Sequence, residues 1–141
     1  MSSLFEPWNI ADGVVGFIWR APFPKAQLLL QHGLGEYSER YVTQYSELIP
    51  KLNALGIDVY AFDLPGHGRS VGTRGLIDLQ QAVSLHLKAR ELMASNKLPT
   101  VLYGHSLGGL ITAGSLVRSS ANVAAAVIGS SAMHQPSKGW E

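Results

Sequence analysis

The chain contains no cysteine among its 141 residues. A disulfide framework, a thiolate metal site and a thiol nucleophile are therefore excluded, and this absence fits a reducing compartment. Charged residues make up only 15% of the chain, the formal net charge is +1, and no stretch concentrates lysine and arginine. Nucleic acid is therefore not an expected partner, because binding to phosphates needs a basic patch.

Long hydrophobic runs are missing as well. No stretch reaches the ~20 apolar residues of a membrane-spanning helix, and residues 1–10 lack the basic start and apolar core of a secretory signal. We therefore predict a soluble, cytoplasmic protein and leave peripheral contact with a membrane open. Hydrophobic residues nevertheless make up 46% of the chain, which is enough to bury the core of one domain.

Predicted strands and helices alternate along most of the chain. Residues 14–19 are β-branched and aromatic, which indicates an early, peripheral strand. From residue 26 onward the spacing of apolar residues predicts, in order, strand 26–31, helix 41–55, strand 57–62, helix 79–95, strand 101–103, helix 106–118 and strand 123–128. This alternation predicts an α/β fold with a mostly parallel sheet and helices on both faces.

Individual residues indicate where the helices begin, bend and end. Gly56 predicts the end of helix 41–55, and Pro50 predicts a kink or a split of that helix near Ile49. Asp78, with Gln81 three residues later, predicts the N-cap of the next helix. No internal repeat or linker marks a second domain.

Residues 104–108 have the pattern Gly-x-Ser-x-Gly. The pattern alone is weak evidence in a glycine-rich chain, but the apolar strand before it and the small-residue helix after it supply the context that it requires. A serine at such a turn projects its hydroxyl above the sheet, and the flanking glycines let strand and helix approach. Ser106 is therefore predicted to be a covalent nucleophile.

Two other loops, at residues 32–36 and 63–68, follow predicted strands and should meet the Ser106 turn, because sites in open α/β sheets lie at the carboxyl ends of the strands. Acyl transfer from a serine needs an oxyanion hole. It is built from the N–H after the nucleophile and an N–H of the loop after an early central strand. By this logic the donors are the backbone N–H groups of Leu107 and Leu34.

Three blocks of the sequence share their order and spacing with a known family. They are His32–Tyr41 (HGLGEYSERY), Asp63–Gly75 (DLPGHGRSVGTRG) and Gly104–Gly109 (GHSLGG). Over roughly residues 13–133 the chain resembles the amino-terminal half of an α/β-hydrolase of the monoacylglycerol lipase or lysophospholipase type. The resemblance implies an α/β-hydrolase fold that is incomplete on its carboxyl-terminal side. It also implies hydrolysis of carboxylic esters, commonly glycerol esters of fatty acids, without cofactor or metal.

The family's order of catalytic residues places an Asp or Glu, and then a His, after the serine. The resemblance implies that these residues and the cap lie beyond Glu141, so that residues 1–141 are the amino-terminal part of a single domain. A serine without a base is a poor nucleophile at neutral pH. The polypeptide alone is therefore expected to have little or no esterase activity, and to need a complementing carboxyl-terminal half.

The histidines of this chain have simpler interpretations than proton transfer. Three of them belong to the loops of the three blocks, where they are expected to orient the backbone or to pack: His32, His67 and His105. His86 is interpreted as a helix residue. Asp63 is expected to maintain the conformation of its loop instead of serving as the acid of the catalytic triad. His134 is the one histidine worth testing as a local base, although residues 133–141 more simply lead towards the cap.

Charged residues of the loops are expected to stabilise them. Glu36 and Glu39 are predicted to cap the following helix. Arg69 and Arg74 are predicted to form loop-stabilising ion pairs, with contact to an acidic substrate group as the alternative. Residues 130–131, both serine, are predicted to line the cleft.

Two other functions stay open beside hydrolysis of a small-molecule ester. An acyltransferase would use the same nucleophile and pass the acyl group to an alcohol other than water. A non-catalytic fragment would bind a partner or an apolar ligand through the open edge of a sheet that ends at strand 123–128. Ester hydrolysis is preferred because all three blocks support it.

Overall fold

A computed structural model describes residues 4–129, which form a six-stranded sheet with helices on both faces. The elements in chain order are β1 (Glu6–Ala11), β2 (Val14–Trp19), β3 (Ala26–Gln31), α1 (Arg40–Thr43), α2 (Leu48–Ala54), β4 (Ile57–Phe62), α3 (Leu79–Ala94), β5 (Thr100–His105), α4 (Leu107–Arg118) and β6 (Ala125–Gly129). The strand order is β1-β2-β4-β3-β5-β6. The pairs β3–β4, β3–β5 and β5–β6 are parallel, whereas β2 is antiparallel to β1 and β4. The predicted α/β fold with a mostly parallel sheet is confirmed.

Two hydrophobic layers cover the sheet, because successive side chains of a strand point to opposite faces. Leu29 of β3 packs in the layer that contains Ile111 of α4. Leu28 and Leu30, its neighbours in the same strand, pack in the other layer, which contains Ile49 of α2. β3 is therefore apolar on both faces, as a central parallel strand requires.

β1 has no counterpart among the predicted strands. It is an edge strand with three of its six residues exposed. It includes Pro7, which lacks a backbone N–H and is tolerated at the edge of a sheet. The signal for it in the sequence is the pair Asp12–Gly13, which is typical of hairpin turns. Gly13 has φ +74° in the connection from β1 to β2.

The helical pattern over residues 41–55 is split, as Pro50 predicts, but the split lies before Ile49. A 3-10 turn at Tyr45–Glu47 separates α1 from α2, and its three residues have left-handed φ values of 52°, 59° and 56°. This conformation costs a non-glycine residue roughly 1–2 kcal/mol. The break precedes the split predicted near Ile49. Pro50 lies in the first turn of α2, where its missing N–H is not needed.

The other predicted elements begin and end within about two residues of their expected positions. Asp78 caps α3 by accepting a hydrogen bond of 3.2 Å from the Gln81 N–H, and Gly56 follows α2 with φ +84°. β6 is the outermost strand on its side of the described sheet, and its residues 125–127 are exposed. Among the helices of residues 4–129, none has both the length and the hydropathy of a membrane span.

His86 is fully buried on α3, in the interior between this helix and its neighbours. Within the described residues neither of its ring nitrogens has a hydrogen-bond partner. Burial, and then the nearby charge of Arg90, lowers the pKa of His86 to about 3. The folded protein therefore holds this imidazole in its neutral form.

We expect His86→Met to reduce the acid sensitivity of folding. Unfolded wild-type chain protonates His86 below its ordinary pKa near 6.5, whereas the folded chain does not. Stability is therefore full above pH 6.5 and falls towards pH 3, by at most about 1.4 kcal/mol per pH unit. Urea unfolding measures the free energy of unfolding at pH 7 and at pH 4.5. The decrease between these two pH values should be about 2 kcal/mol larger in the wild type than in His86→Met. Gln80→Met, on the exposed face of α3, is the control and should behave as the wild type; equal losses in all three proteins would contradict the prediction.

Candidate active site

Ser106 occupies the turn between β5 and α4, with φ 59° and ψ −125°. A positive φ is uncommon for a non-glycine residue and is often found at functional sites. Hydrogen bonds hold this turn on both sides. The Ser106 N–H donates to the Gly129 carbonyl of β6 at 3.0 Å, and the Ser106 carbonyl accepts from the Gly109 N–H at 2.9 Å. The backbone therefore has the strand-turn-helix geometry of a nucleophile elbow.

Two glycines allow the elbow to form because a side chain at either position would overlap with backbone. A Cβ at Gly108 would overlap with the Gln31 carbonyl oxygen and lie 2.9 Å from that of His32. A Cβ at Gly104 would overlap with the Gly108 carbonyl oxygen. The first turn of α4 therefore packs directly against the end of β3, at a distance that only glycine permits.

The loop after β3 passes over the beginning of α4. A Cβ at Gly33 would lie 3.1 Å from the His105 carbonyl oxygen and 3.5 Å from the Leu107 nitrogen. The Glu36 N–H donates to the Gly33 carbonyl at 3.2 Å, and Gly35 has φ +74°, so residues 33–36 form a tight turn with Leu34 at its tip. Within residues 4–129, the N–H groups of Leu34 and Leu107 have no hydrogen-bond acceptor. An oxyanion hole requires backbone donors that are not already bonded within the protein.

Glu36 is tied into this loop and does not cap a helix, so that prediction is wrong. Its Oε1 accepts hydrogen bonds from the Gly33 N–H at 2.8 Å and the Tyr41 hydroxyl at 3.1 Å, and its Oε2 accepts one from the Tyr45 hydroxyl. Burial raises the pKa of Glu36, but the bonds from Tyr45, Gly33 and Tyr41 outweigh it and leave the pKa lowered. The bond to Glu36 raises the pKa of the Tyr45 hydroxyl, which therefore stays a proton donor.

Glu39 also makes no capping bond, although it occupies the N-cap position of α1. Its carboxylate instead accepts two hydrogen bonds from Arg69, at 2.7 and 2.9 Å, and this pair joins the loops after β3 and β4. The predicted ion pair of Arg69 is confirmed. The ion pair predicted for Arg74 is wrong within residues 4–129, where Arg74 instead donates to the backbone carbonyls of residues 68, 70 and 72 of its own loop.

Asp63 has the loop role expected from the sequence. Its buried carboxylate accepts hydrogen bonds from the Ser38 N–H at 2.8 Å and the Arg69 N–H at 2.9 Å. A Cβ at Gly68 would overlap with this carboxylate, so the second loop wraps closely around it. Asp63 therefore holds two of the three loops together.

His32 links the same two loops and is fixed in one tautomer. Its Nε2 accepts a hydrogen bond from the Leu64 N–H at 3.0 Å, so its Nδ1 carries the proton and donates to the Gly33 carbonyl at 2.7 Å. Burial lowers the pKa of His32, which favours this neutral form. The ring of His67 packs 5.3 Å away. Both rings therefore orient and pack the loops, as expected.

The three predicted site residues, Ser106, Leu107 and Leu34, belong to the elbow and to the loop that crosses it. Within residues 4–129 no side chain hydrogen-bonds to the Ser106 hydroxyl, and no group of three side chains there is placed to hold a metal. The predictions for residues 130–131 and for His134 lie outside the described residues.

Sequence reasoning missed Tyr45 at this site. The ring of Tyr45 lies 5.8 Å from that of His105, the residue before Ser106. Its spacing matched the apolar stripe of a helix, and the only sequence signal for another role was its proximity to the block that ends at Tyr41.

Comparisons with known proteins agree with this geometry. The family model Hydrolase_4, described as "Serine aminopeptidase, S33", matches residues 22–140. Human monoglyceride lipase is 40% identical over 91 residues, which is 62% of this chain and 29% of that protein. The monkeypox virus monoglyceride lipase homolog is 35% identical over 95 residues, which is 64% of this chain and 32% of that protein.

Solved structures show the same relationship. The crystal structure of the monoacylglycerol lipase of Paleococcus ferrophilus superposes with a TM-score of 0.71 at 34% identity, and the match covers 86% of this chain and 47% of that one. The chain thus spans less than half the length of these relatives. With a family model that matches most of its residues, and with this fold, the chain belongs to the Hydrolase_4 family of α/β-hydrolases and is similar to monoacylglycerol lipases.

Proposed function

We propose that this protein is a serine hydrolase of carboxylic esters, with Ser106 as the nucleophile and the backbone N–H groups of Leu34 and Leu107 as the oxyanion donors. The observation that carries the proposal is the positive φ of Ser106 at a strand-to-helix turn, beside two N–H groups that have no acceptor within residues 4–129. Backbone strain of this kind persists only where the surrounding structure imposes it, and it is common in active sites.

In the proposed reaction the Ser106 Oγ attacks the ester carbonyl carbon while a general base takes its proton. The carbonyl oxygen becomes an oxyanion, which the two N–H groups stabilise by hydrogen bonds. Loss of one such donor typically lowers kcat by about 10²–10³-fold. Collapse of the intermediate breaks the bond to the alkoxide oxygen, which takes the proton and leaves as the alcohol. Water then attacks the acyl-enzyme by the same route and releases the carboxylic acid and the free serine.

The proposed substrates are small glycerol esters, either monoacylglycerols or lysophospholipids. The names of the human and Paleococcus relatives support an acylglycerol, whereas the description of the family names an aminopeptidase. Both chemistries use the same elbow and oxyanion hole. Ester hydrolysis and amide hydrolysis can be distinguished with two substrates, an acyl ester and the amide of the same acid. We expect only the ester to be hydrolysed.

The general base and its acid partner are proposed to come from residues outside 4–129, since no described side chain bonds to the Ser106 hydroxyl. Because the family's order of catalytic residues puts the acid and the histidine far after the serine, we propose that residues 1–141 by themselves have little or no esterase activity and gain it from a complementing carboxyl-terminal half. Esterase assays of this polypeptide, alone and together with such a segment from a related monoacylglycerol lipase, test that proposal. High activity of the polypeptide alone would overturn it.

We expect a fluorophosphonate probe to label Ser106 in an active preparation, because the probe reacts with serines that a base has activated. Peptide mass spectrometry should place the adduct on the peptide that contains Ser106, and labelling should compete with a monoacylglycerol. An active preparation in which Ser106 remains unlabelled would contradict the proposed nucleophile. Product analysis with a competing alcohol distinguishes hydrolysis, which yields the free acid, from acyl transfer, which yields a new ester.

The exposed outer edge of β6 favours a second candidate, a non-catalytic fragment that binds a partner or an apolar ligand. Size measurement by light scattering, combined with the assay above, separates the two. A stable monodisperse monomer that stays inactive with every complementing segment would favour the binding fragment.

A further inference from the structure

The 3-10 turn at Tyr45–Glu47 places an aromatic side chain beside the candidate site. All three residues are left-handed although none is glycine. The ring of Tyr45 stacks on that of Tyr41 with centroids 4.6 Å apart, and the guanidinium of Arg40 lies 5.5 Å from the Tyr45 ring centroid. These contacts of Tyr45 therefore help to hold the strained turn, and the Tyr45 ring lies on the side of the candidate site.

The hydroxyl of Tyr45 connects this turn to the oxyanion loop through one carboxylate. Tyr45 donates to Oε2 of Glu36, and Oε1 of the same side chain accepts the Gly33 N–H at 2.8 Å. Gly33 directly precedes Leu34, the proposed donor, and lies against the Leu107 nitrogen. The orientation of the Glu36 carboxylate thus determines how firmly the His32–Gly33 peptide, one peptide before the Leu34 N–H, is held.

We propose that Tyr45 is a positioning residue that orients Glu36 and, through it, holds the oxyanion loop in its productive geometry. This inference rests on the proposed function of Leu34 and Leu107 as oxyanion donors.

The physical reason lies in the two oxygens of the Glu36 carboxylate. Without the Tyr45 hydroxyl, Oε2 loses its donor and the carboxylate can turn towards water, which loosens the bond from Oε1 to the Gly33 N–H. Stabilisation of an oxyanion depends on donors that are already aligned, and misplacement by about 1 Å lowers rates by up to 10²-fold. A carboxylate that is free to rotate would also bring negative charge nearer to the developing oxyanion.

Tyr45→Phe tests the inference because it removes only the hydroxyl and keeps the stacking on Tyr41. In an active preparation, we expect kcat for the ester and the maximal rate of fluorophosphonate labelling to fall about 10-fold, with KM and the urea unfolding midpoint unchanged. The control is Tyr37→Phe. Tyr37 is 39% exposed, as is Tyr45, and its hydroxyl has no hydrogen bond within residues 4–129, so both rates should equal those of the wild type.

A second measurement does not require a catalytically active preparation. Hydrogen exchange of the Gly33 amide, followed by NMR, should be faster in Tyr45→Phe than in wild type and Tyr37→Phe. In a double-mutant cycle, Tyr45→Phe should have little further effect on labelling in a Glu36→Gln background, because both changes break the same link.

The outcomes separate this inference from the proposed function. Wild-type protein that is active but unlabelled at Ser106 overturns the proposed function and this inference with it. Wild type labelled at Ser106, with Tyr45→Phe labelled at the same rate and Gly33 exchange unchanged, overturns the inference alone. A change in KM without a change in kcat or labelling rate would also overturn it, because Tyr45 would then contact substrate instead of positioning the loop.

Discussion

Ser106→Ala is expected to lower kcat/KM for an ester by about 10⁴–10⁶-fold and to abolish fluorophosphonate labelling. The substitution removes the only atom that can form the proposed acyl-enzyme. It retains the N–H that donates to the Gly129 carbonyl, and it retains a Cβ at the same positive-φ position. The free energy of unfolding should therefore change by less than about 1 kcal/mol. Initial rates in an active preparation, with urea unfolding of the same samples, measure both effects.

Two matched variants make the loss at Ser106 interpretable. Ser120→Ala, at an exposed position after α4, should leave the rate unchanged. Leu34→Ala should retain most of the activity, because the proposed donor is the backbone N–H, which alanine keeps. If Ser106→Ala retained more than about a tenth of the wild-type rate, Ser106 would not be the nucleophile.

Gly108→Ala is expected to lower the free energy of unfolding by about 2–4 kcal/mol. The new methyl group would overlap with the backbone carbonyl of Gln31, which no rotamer change relieves. α4 would have to move away from β3, and the Leu107 N–H would move with it. Labelling of Ser106 should therefore fall together with stability. Urea unfolding and labelling rates at a temperature where the variant is folded measure these changes.

Gly114→Ala is the matched control because it makes the same substitution in the same helix. A Cβ there would lie 3.0 Å from Cγ2 of Val83, which is a tight contact with a side chain and not an overlap with backbone. The higher helix propensity of alanine offsets that contact by about 1 kcal/mol. We expect a change of no more than about 1 kcal/mol and normal labelling. Equal destabilisation by the two variants would show that crowding at the end of β3 is not the cause.

The central part of the fold was predictable because its signals are local. β3 is apolar on both faces, α4 begins directly after the elbow, and Asp78 caps α3, each from residues within a few positions of one another. β1 and the position of the break in helix 41–55 were not predictable in this way. β1 depends on pairing with β2 and tolerates Pro7 only as an edge strand. The break at Tyr45–Glu47 depends on contacts with Glu36 that the spacing of apolar residues does not encode.

The candidate site shows the same division. The pattern around Ser106 identified the elbow, and chain order placed Leu34 and Leu107 near it. The roles of Glu36 and Glu39 were predicted incorrectly, because an acidic residue before a helix has the same local sequence whether it caps the helix or binds elsewhere. Glu36 instead binds the Gly33 N–H of its own loop and the Tyr45 hydroxyl of the following turn, and Glu39 binds Arg69, 30 residues away.

The sequence by itself determined the alternation of strands and helices, the family and the position of the elbow. Each of these depends on the order and spacing of residues, which the chain carries locally. Only the tertiary structure decided how the loops after β3 and β4 are held together, through the bonds of Asp63 to Ser38 and of His32 to Leu64. These contacts form between segments far apart in the chain, so they exist only after the sheet has brought the ends of its strands to one edge.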